Sequence, residues 1–272
     1  MTPSRRAFPP RGIRRFLPVL LSIPIFGCAP ALYPLPKAPV SDPGLLLARM
    51  EARQAGLRAV SAVGRAESRM PEGRMKGRVT LLADLSGRLR VDVWTPTDVL
   101  VGAVSAGPDG FSFFQRGEGC LVGKACPSNL ALVLPRGWDL FAVVRGLMGI
   151  APLVPAAGGW SLEFDRRNGA YRLQSPIAGG DAQRLWLRED GEVVRYERGR
   201  EGRVAILLVV EEPPAAAGRP ARKVRLGTGS GDSELAIRYG DVEVNPEVAP
   251  EDWPVVCPEG LPVRFLTCER GP

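Results

Sequence analysis

From residue 59 onward the chain alternates apolar and polar side chains with a period of two. That pattern commits it to half-buried β-strands, because successive strand side chains point to opposite faces of a sheet. Val60, Ala62, Gly64 and Ala66 alternate with Ser61, Arg65 and Glu67, and after Pro71-Glu72-Gly73 the series Met75, Gly77, Val79, Leu81 alternates with Lys76, Arg78 and Thr80. The rhythm returns after Ser86-Gly87 (Leu89, Val91, Val93), after Thr97-Asp98 (Val99 to Ser105) and after Pro108-Asp109-Gly110 (Phe111, Phe113). Turn residues at each break make a five-stranded antiparallel meander the simplest account.

The middle of the chain departs from this period. Gly117 to Pro127 reads as a loop, and Trp138 to Ile150 places Leu140, Val143, Val144 and Leu147 at helical spacing around one charge, Arg145. The spacing predicts an apolar helix, serving either as an ordinary core element or as a lid over a cavity. Strands resume at Trp160 to Phe164, Tyr171 to Leu173, Leu185 to Leu187, Val193 to Tyr196, Val204 to Val210, Lys223 to Gly227 and Ser233 to Val244, ten or eleven in all. Ahead of the sheet, Asp42-Pro43 supplies a helix N-cap and first-turn proline. Leu46, Met50 and Leu57 then fall on one face of a short helix ending near Gly56.

The N-terminal residues set the compartment. Five arginines (Arg5, Arg6, Arg11, Arg14, Arg15) precede the apolar run Phe16 to Cys28, which is shorter than the ~20 residues a spanning helix needs and carries Pro18 and Pro24. It resembles a bacterial lipoprotein signal, which implies cleavage before Cys28, acylation of that cysteine and a lipid anchor. Cleavage elsewhere and an uncleaved signal anchor are the alternatives. Ser4-Arg5-Arg6-Ala7-Phe8 also resembles the start of a twin-arginine signal. Residues 1–27 are then the signal peptide, 28–43 a proline-rich tether extended at ~3.1 Å per residue, and 44–272 the folded domain. Because Ala29 rather than aspartate follows Cys28, the expected destination is the outer membrane, facing the periplasm.

Removing the signal leaves 245 of the 272 residues and 31 basic against 29 acidic side chains, a net charge of +2 rather than +7. No basic cluster with interleaved aromatics survives, so nucleic acid is not an expected partner. Four cysteines lie in two close pairs, and in an oxidising compartment the short loops favour Cys120 with Cys126 and Cys257 with Cys268. A metal site would call for CxxC spacing and histidine, and the sequence has no histidine at all. The same lack removes Ser-His-Asp and Cys-His machinery, and Gly227-Thr228-Gly229-Ser230-Gly231 between two strands reads as a turn rather than a phosphate loop. Neither an enzyme nor a cofactor is expected.

Glu234 to Gly260, an aliphatic strand, an aromatic, a valine strand, asparagine, a spacer and Trp253-Pro254, resembles the C-terminal segment of the LolA/LolB superfamily. Ala59 to Ala83, with Gly77-Arg78-Val79-Thr80-Leu81, resembles its first hairpin, and the resemblance spans about residues 44–262. It implies a mainly β fold: an incomplete antiparallel barrel of about eleven strands around an apolar cavity, with helices as a lid. It also implies acyl chains or lipoproteins as partners. The residues expected to face such a cavity are Met75, Val79, Leu81, Leu89, Val91 and Val93 on the strands, and Leu140, Val143, Val144 and Leu147 on the helix. One departure stands out. Where the anchored receptor projects an exposed leucine, the turn Trp94 to Asp98 is polar, which favours an alternative reading: a non-catalytic assembly lipoprotein that binds an envelope protein partner.

Overall fold

The computed structural model describes residues 32–71, 73–200 and 203–268. The expected signal peptide and Cys28 therefore lie outside the described residues. The rest forms one large, curled, unclosed sheet of fourteen strands with few helices, the mainly β half-barrel architecture that the sequence predicts.

The sheet is two meanders joined at their middle. Strands β1 (Ala59–Met70), β2 (Gly73–Asp84), β3 (Arg88–Trp94), β4 (Leu100–Gly107), β5 (Gly110–Gln115) and β6 (Gly119–Gly123) pair in succession. Strands β7 (Ser161–Asp165), β8 (Ala170–Pro176), β9 (Ala182–Leu187), β10 (Val193–Arg200), β11 (Arg203–Glu212), β12 (Lys223–Gly227) and β13 (Glu234–Val244) do the same, and β13 closes onto β1. Every one of these pairs is antiparallel. The exception is β14 (Val263–Phe265), which lies parallel to β6 at one edge of the sheet.

Strand β6 falls in the segment 117–127 that reads as a loop in sequence, and strand β14 and a short helix, α2 (Pro127–Leu130), are not expected from sequence. Strand β6 is only five residues long and rich in glycine, so its alternation is too short to register. Strand β14 is three exposed residues, defined by its partner rather than by its own pattern.

Helix α1 (Pro43–Gln54) begins as expected, with Asp42 accepting a hydrogen bond from the backbone N–H of Gly44 at 2.8 Å, and buries Leu46 and Met50. It docks against the β9–β10 turn, where Arg53 meets Asp190 at 2.7 Å. Helix α3 (Leu140–Leu147) is capped by Asp139, whose carboxylate accepts from Ala142 N–H at 2.7 Å. It stops at Gly149, whose φ of +76° lets the Ile150 N–H bond back to the Arg145 carbonyl at 2.9 Å. Gly146 lets the helix approach the sheet closely: a Cβ there would sit 2.7 Å from Leu226 and 3.0 Å from Trp138. Helix α3 packs on β12 and reaches across to β2 and β3, and the buried residues of α1 and α3 join Tyr196, Leu208, Leu185 and Tyr171 in one hydrophobic core.

The disulfides correct the expected pairing. Cys120 is bonded to Cys257 and Cys126 to Cys268, rather than Cys120 to Cys126 and Cys257 to Cys268. Cys120 sits inside extended β6, which at ~3.3 Å per residue carries the chain away from it before Cys126 caps α2. Both bonds instead staple the C-terminal segment to the β6 edge. On its way there the segment crosses the convex face of β3 to β5. Arg90 donates to the carbonyl of Asp252 at 2.7 Å, Ser105 accepts from Val255 N–H at 3.0 Å, and Val255 and Leu261 cover Ala103 and Phe114.

The described part of the expected tether is not a free spacer. Tyr33 N–H donates to the Arg166 carbonyl at 2.8 Å, Arg166 Nε donates back to the Tyr33 carbonyl at 3.1 Å, and Val40 N–H donates to the Tyr171 hydroxyl at 3.0 Å. Tyr33 is thus held at the β7–β8 turn and Val40 against β8.

Candidate ligand cavity

Cross-strand register decides which side chains share the concave face. Val79 stands opposite Val93 and Gly64, Leu81 opposite Val91 and Ala62, and Ala83 opposite Leu89 and Val60. The rows continue through Gly102, Val104 and Ala106 of β4 to Gln115, Phe113 and Phe111 of β5. Large side chains occupy one end of these rows. Toward the β1–β2 turn the inward positions become Ala66, Ser68, Gly77 and Gly102, which leaves space that the helices do not fill.

That space is a cavity of about 620 Å³, within the ~300–1,000 Å³ range of small-molecule sites. Its walls are the inner faces of β1 to β5 with Leu235 and Ile237 of β13. Leu132, Val133 and Leu134, which connect α2 to α3, cover it together with Leu147. Met75 is 53% exposed and Leu132 52% exposed. With Arg74 and Arg116 they form a rim at the sheet end that holds the β1–β2 and β5–β6 turns. The guanidinium of Arg74 meets Glu67 at 2.7 Å.

Of the residues named from sequence, Met75, Val79, Leu89, Val91, Val93 and Leu147 line this cavity. Leu81, Val143 and Val144 are instead buried in the packed core, and Leu140 packs partly buried against it. The cover is therefore mostly the 132–134 segment rather than the face of α3. Sequence reasoning missed that segment because Leu132-Val133-Leu134 lies between a four-residue helix and a proline, too short for any period. Helix α1 belongs to the filled half of the barrel and is not part of the wall.

Two buried tyrosines fix the neighbourhood. Tyr239 donates to the Leu147 carbonyl at 2.8 Å, and burial pushes its phenol well above the usual range. Burial likewise pushes Tyr196 up to about 12, against a lowering by Arg198 and with a further rise from Asp139. Arg145 lies over the Phe141 ring at 4.6 Å, and its buried Nε and Nη1 have no hydrogen-bond partner among the described residues. Desolvation lowers its guanidinium pKa. It is not one of the cavity-lining residues. The turn after β3 is polar, as expected, and closed on itself. Thr95 N–H donates to the Val99 carbonyl at 2.9 Å, Asp98 adopts φ of +60°, and Arg78 pairs with the Asp98 carboxylate.

Fold and site together define an open antiparallel half-barrel with a segment-covered apolar cavity. No protein-family model matches the chain, and no curated protein matches it. Similar solved structures include a DUF1329 family protein from Desulfovibrio piger, at 12% identity over 77% of this chain and 94% of that one, with a TM-score of 0.49. A LolA superfamily protein from Nitrosomonas europaea matches at 11% identity over 80% of this chain and 99% of that one, TM-score 0.46. A putative outer membrane lipoprotein-sorting protein domain from Vibrio parahaemolyticus matches at 9% identity over 76% and 94%, TM-score 0.43.

Proposed function

We propose that this protein is a non-catalytic, lipid-anchored lipoprotein of the outer membrane that faces the periplasm. In this reading it binds the acyl chains of lipids or lipoproteins in the cavity, as a step in lipoprotein localisation. The single observation that carries the reading is the cavity itself: apolar strand faces enclose about 620 Å³ and open at one end of the sheet. Each ligand methylene that leaves water there contributes ~0.8 kcal/mol, so an alkyl chain gains affinity in proportion to the length it inserts. Anchoring through Cys28 supplies the location. Among the described residues no helix is long and apolar enough to cross a membrane.

The test is a titration of a fluorescent fatty-acid analogue into the protein beginning at Ala29, which keeps the docked segment from Leu32 onward. Saturable binding that unlabelled long-chain fatty acid displaces is expected. Ala66→Phe, which fills the cavity from β1, should weaken it at least tenfold. Absence of saturable binding by the folded protein would remove the carrier reading.

A second reading draws on the sheet edge. Strand β14 leaves Val263 44% and Phe265 79% exposed beside a strand edge that pairs with no other strand among the described residues, a surface suited to pairing with an envelope protein. A pull-down in which Phe265→Ser loses a defined partner while fatty-acid binding is absent would favour that assembly role.

A further inference from the structure

The docked N-terminal segment and the cavity mouth lie at opposite ends of the sheet. Because every neighbouring pair from β6 through β7 is antiparallel, the β1–β2, β3–β4 and β5–β6 turns share one end. The β7–β8 and β9–β10 turns share the other. The mouth belongs to the first end, and Tyr33 is held at the second. Strand β1 alone runs twelve residues between them, about 40 Å measured along the strand.

The segment is held by more than one contact. Besides the paired hydrogen bonds with Arg166, the Tyr33 ring lies against Gly169, where φ is +60° and a Cβ would fall 2.7 Å from the ring. Only three residues separate Leu32 from Cys28, so the four Cα-to-Cα steps, at ~3.6 Å each, span at most ~14 Å.

The surface at this point has the composition of a membrane interface. Leu32 and Tyr33 are each 50% exposed and Leu35 63%, beside exposed Lys37, Arg166 and Arg167. Apolar and aromatic side chains enter the headgroup region, and arginine and lysine are attracted to anionic lipid.

We infer that the face formed by Leu32, Tyr33, Leu35, Arg166 and Arg167 rests on an anionic phospholipid surface, so that the cavity mouth points away from the membrane that holds the anchor. This rests on the Cys28 anchoring reading. A cargo would then arrive from the periplasmic side without the domain turning over.

The experiment uses the full mature chain, its Cys28 modification read by intact mass, in vesicles of phosphatidylethanolamine and phosphatidylglycerol, with hydroxyl-radical footprinting. Tyr33, Leu35, Met75 and Phe141 have comparable exposure, from 49% to 63%, so a free domain labels all four similarly once intrinsic reactivity is normalised. In vesicles, Tyr33 and Leu35 should label at least fivefold less than Met75 and Phe141. Equal labelling, or protection of Met75 and Phe141 instead, would overturn the orientation while the lipid mass leaves the anchor standing. A Cys28 without lipid would remove the anchor and the orientation together.

Discussion

Tyr239 of β13 donates its hydroxyl hydrogen to the backbone carbonyl of Leu147, 2.8 Å away, and so ties the central strand of the sheet to the last turn of α3. Leu147 is also the α3 residue that reaches the cavity wall. This buried hydrogen bond is therefore one of the contacts that set helix position and wall shape, beside that of the Trp138 indole to the Gly227 carbonyl. Tyr239→Phe keeps the ring and removes the donor, leaving a buried carbonyl at a helix end unpaired. A loss of ~1–3 kcal/mol is expected, measured as a lower midpoint in urea unfolding with an unchanged slope.

The same tyrosine and Tyr196 make alkaline stability a test of the core. Burial raises both phenols in the folded protein, Tyr196 to about 12 and Tyr239 in the same direction. In the unfolded chain they ionise near the ordinary value of ~10. Above that pH the unfolded state binds fewer protons than the folded one, so stability falls as pH rises toward the folded values. It is unaffected by these groups below ~10. Unfolding followed from pH 8 to 12 should show a decline beginning near 10, and Tyr239→Phe with Tyr196→Phe should flatten it.

The bonds Cys120–Cys257 and Cys126–Cys268 join residues 137 and 142 positions apart. Loops of that length restrict the unfolded chain strongly, and removing either bond should cost ~2–5 kcal/mol, the two losses not adding because the loops overlap. Peptide mapping without reduction should recover these linkages. Recovery of Cys120 joined to Cys126 would contradict the strand geometry of β6.

Much of this architecture was legible in the sequence because it rests on period. The ten or eleven strands expected declare themselves by alternating or wholly apolar runs between turn residues, α1 by Asp42-Pro43 and its apolar face, and α3 by Leu140, Val143, Val144 and Leu147. What escaped depends on partners distant in sequence. Strand β14 exists only as a neighbour of β6, the cysteine partners are brought together by a C-terminal segment crossing the convex face, and the Leu132 to Leu134 cover has no period. Six of the ten residues named for a cavity do line one: Met75, Val79, Leu89, Val91, Val93 and Leu147. Alternation identifies the inward face of a strand, but whether an inward residue meets a void or a packed neighbour is set by the helix above it. For that reason Leu81, Val143 and Val144 fall in the core.

An acyl chain lodged between β1 to β5 and the 132–134 segment can be located by photo-crosslinking. A fatty acid carrying a diazirine near its methyl end is bound to the protein, irradiated, and its attachment mapped by peptide sequencing. The cavity account predicts label on Val91 and Val93 of β3, on Val104 of β4 and on Leu132 to Leu134, with Ala66→Phe suppressing all of it. Label confined to the β14 edge at Val263 and Phe265, or spread over the exposed surface and indifferent to Ala66→Phe, would contradict it.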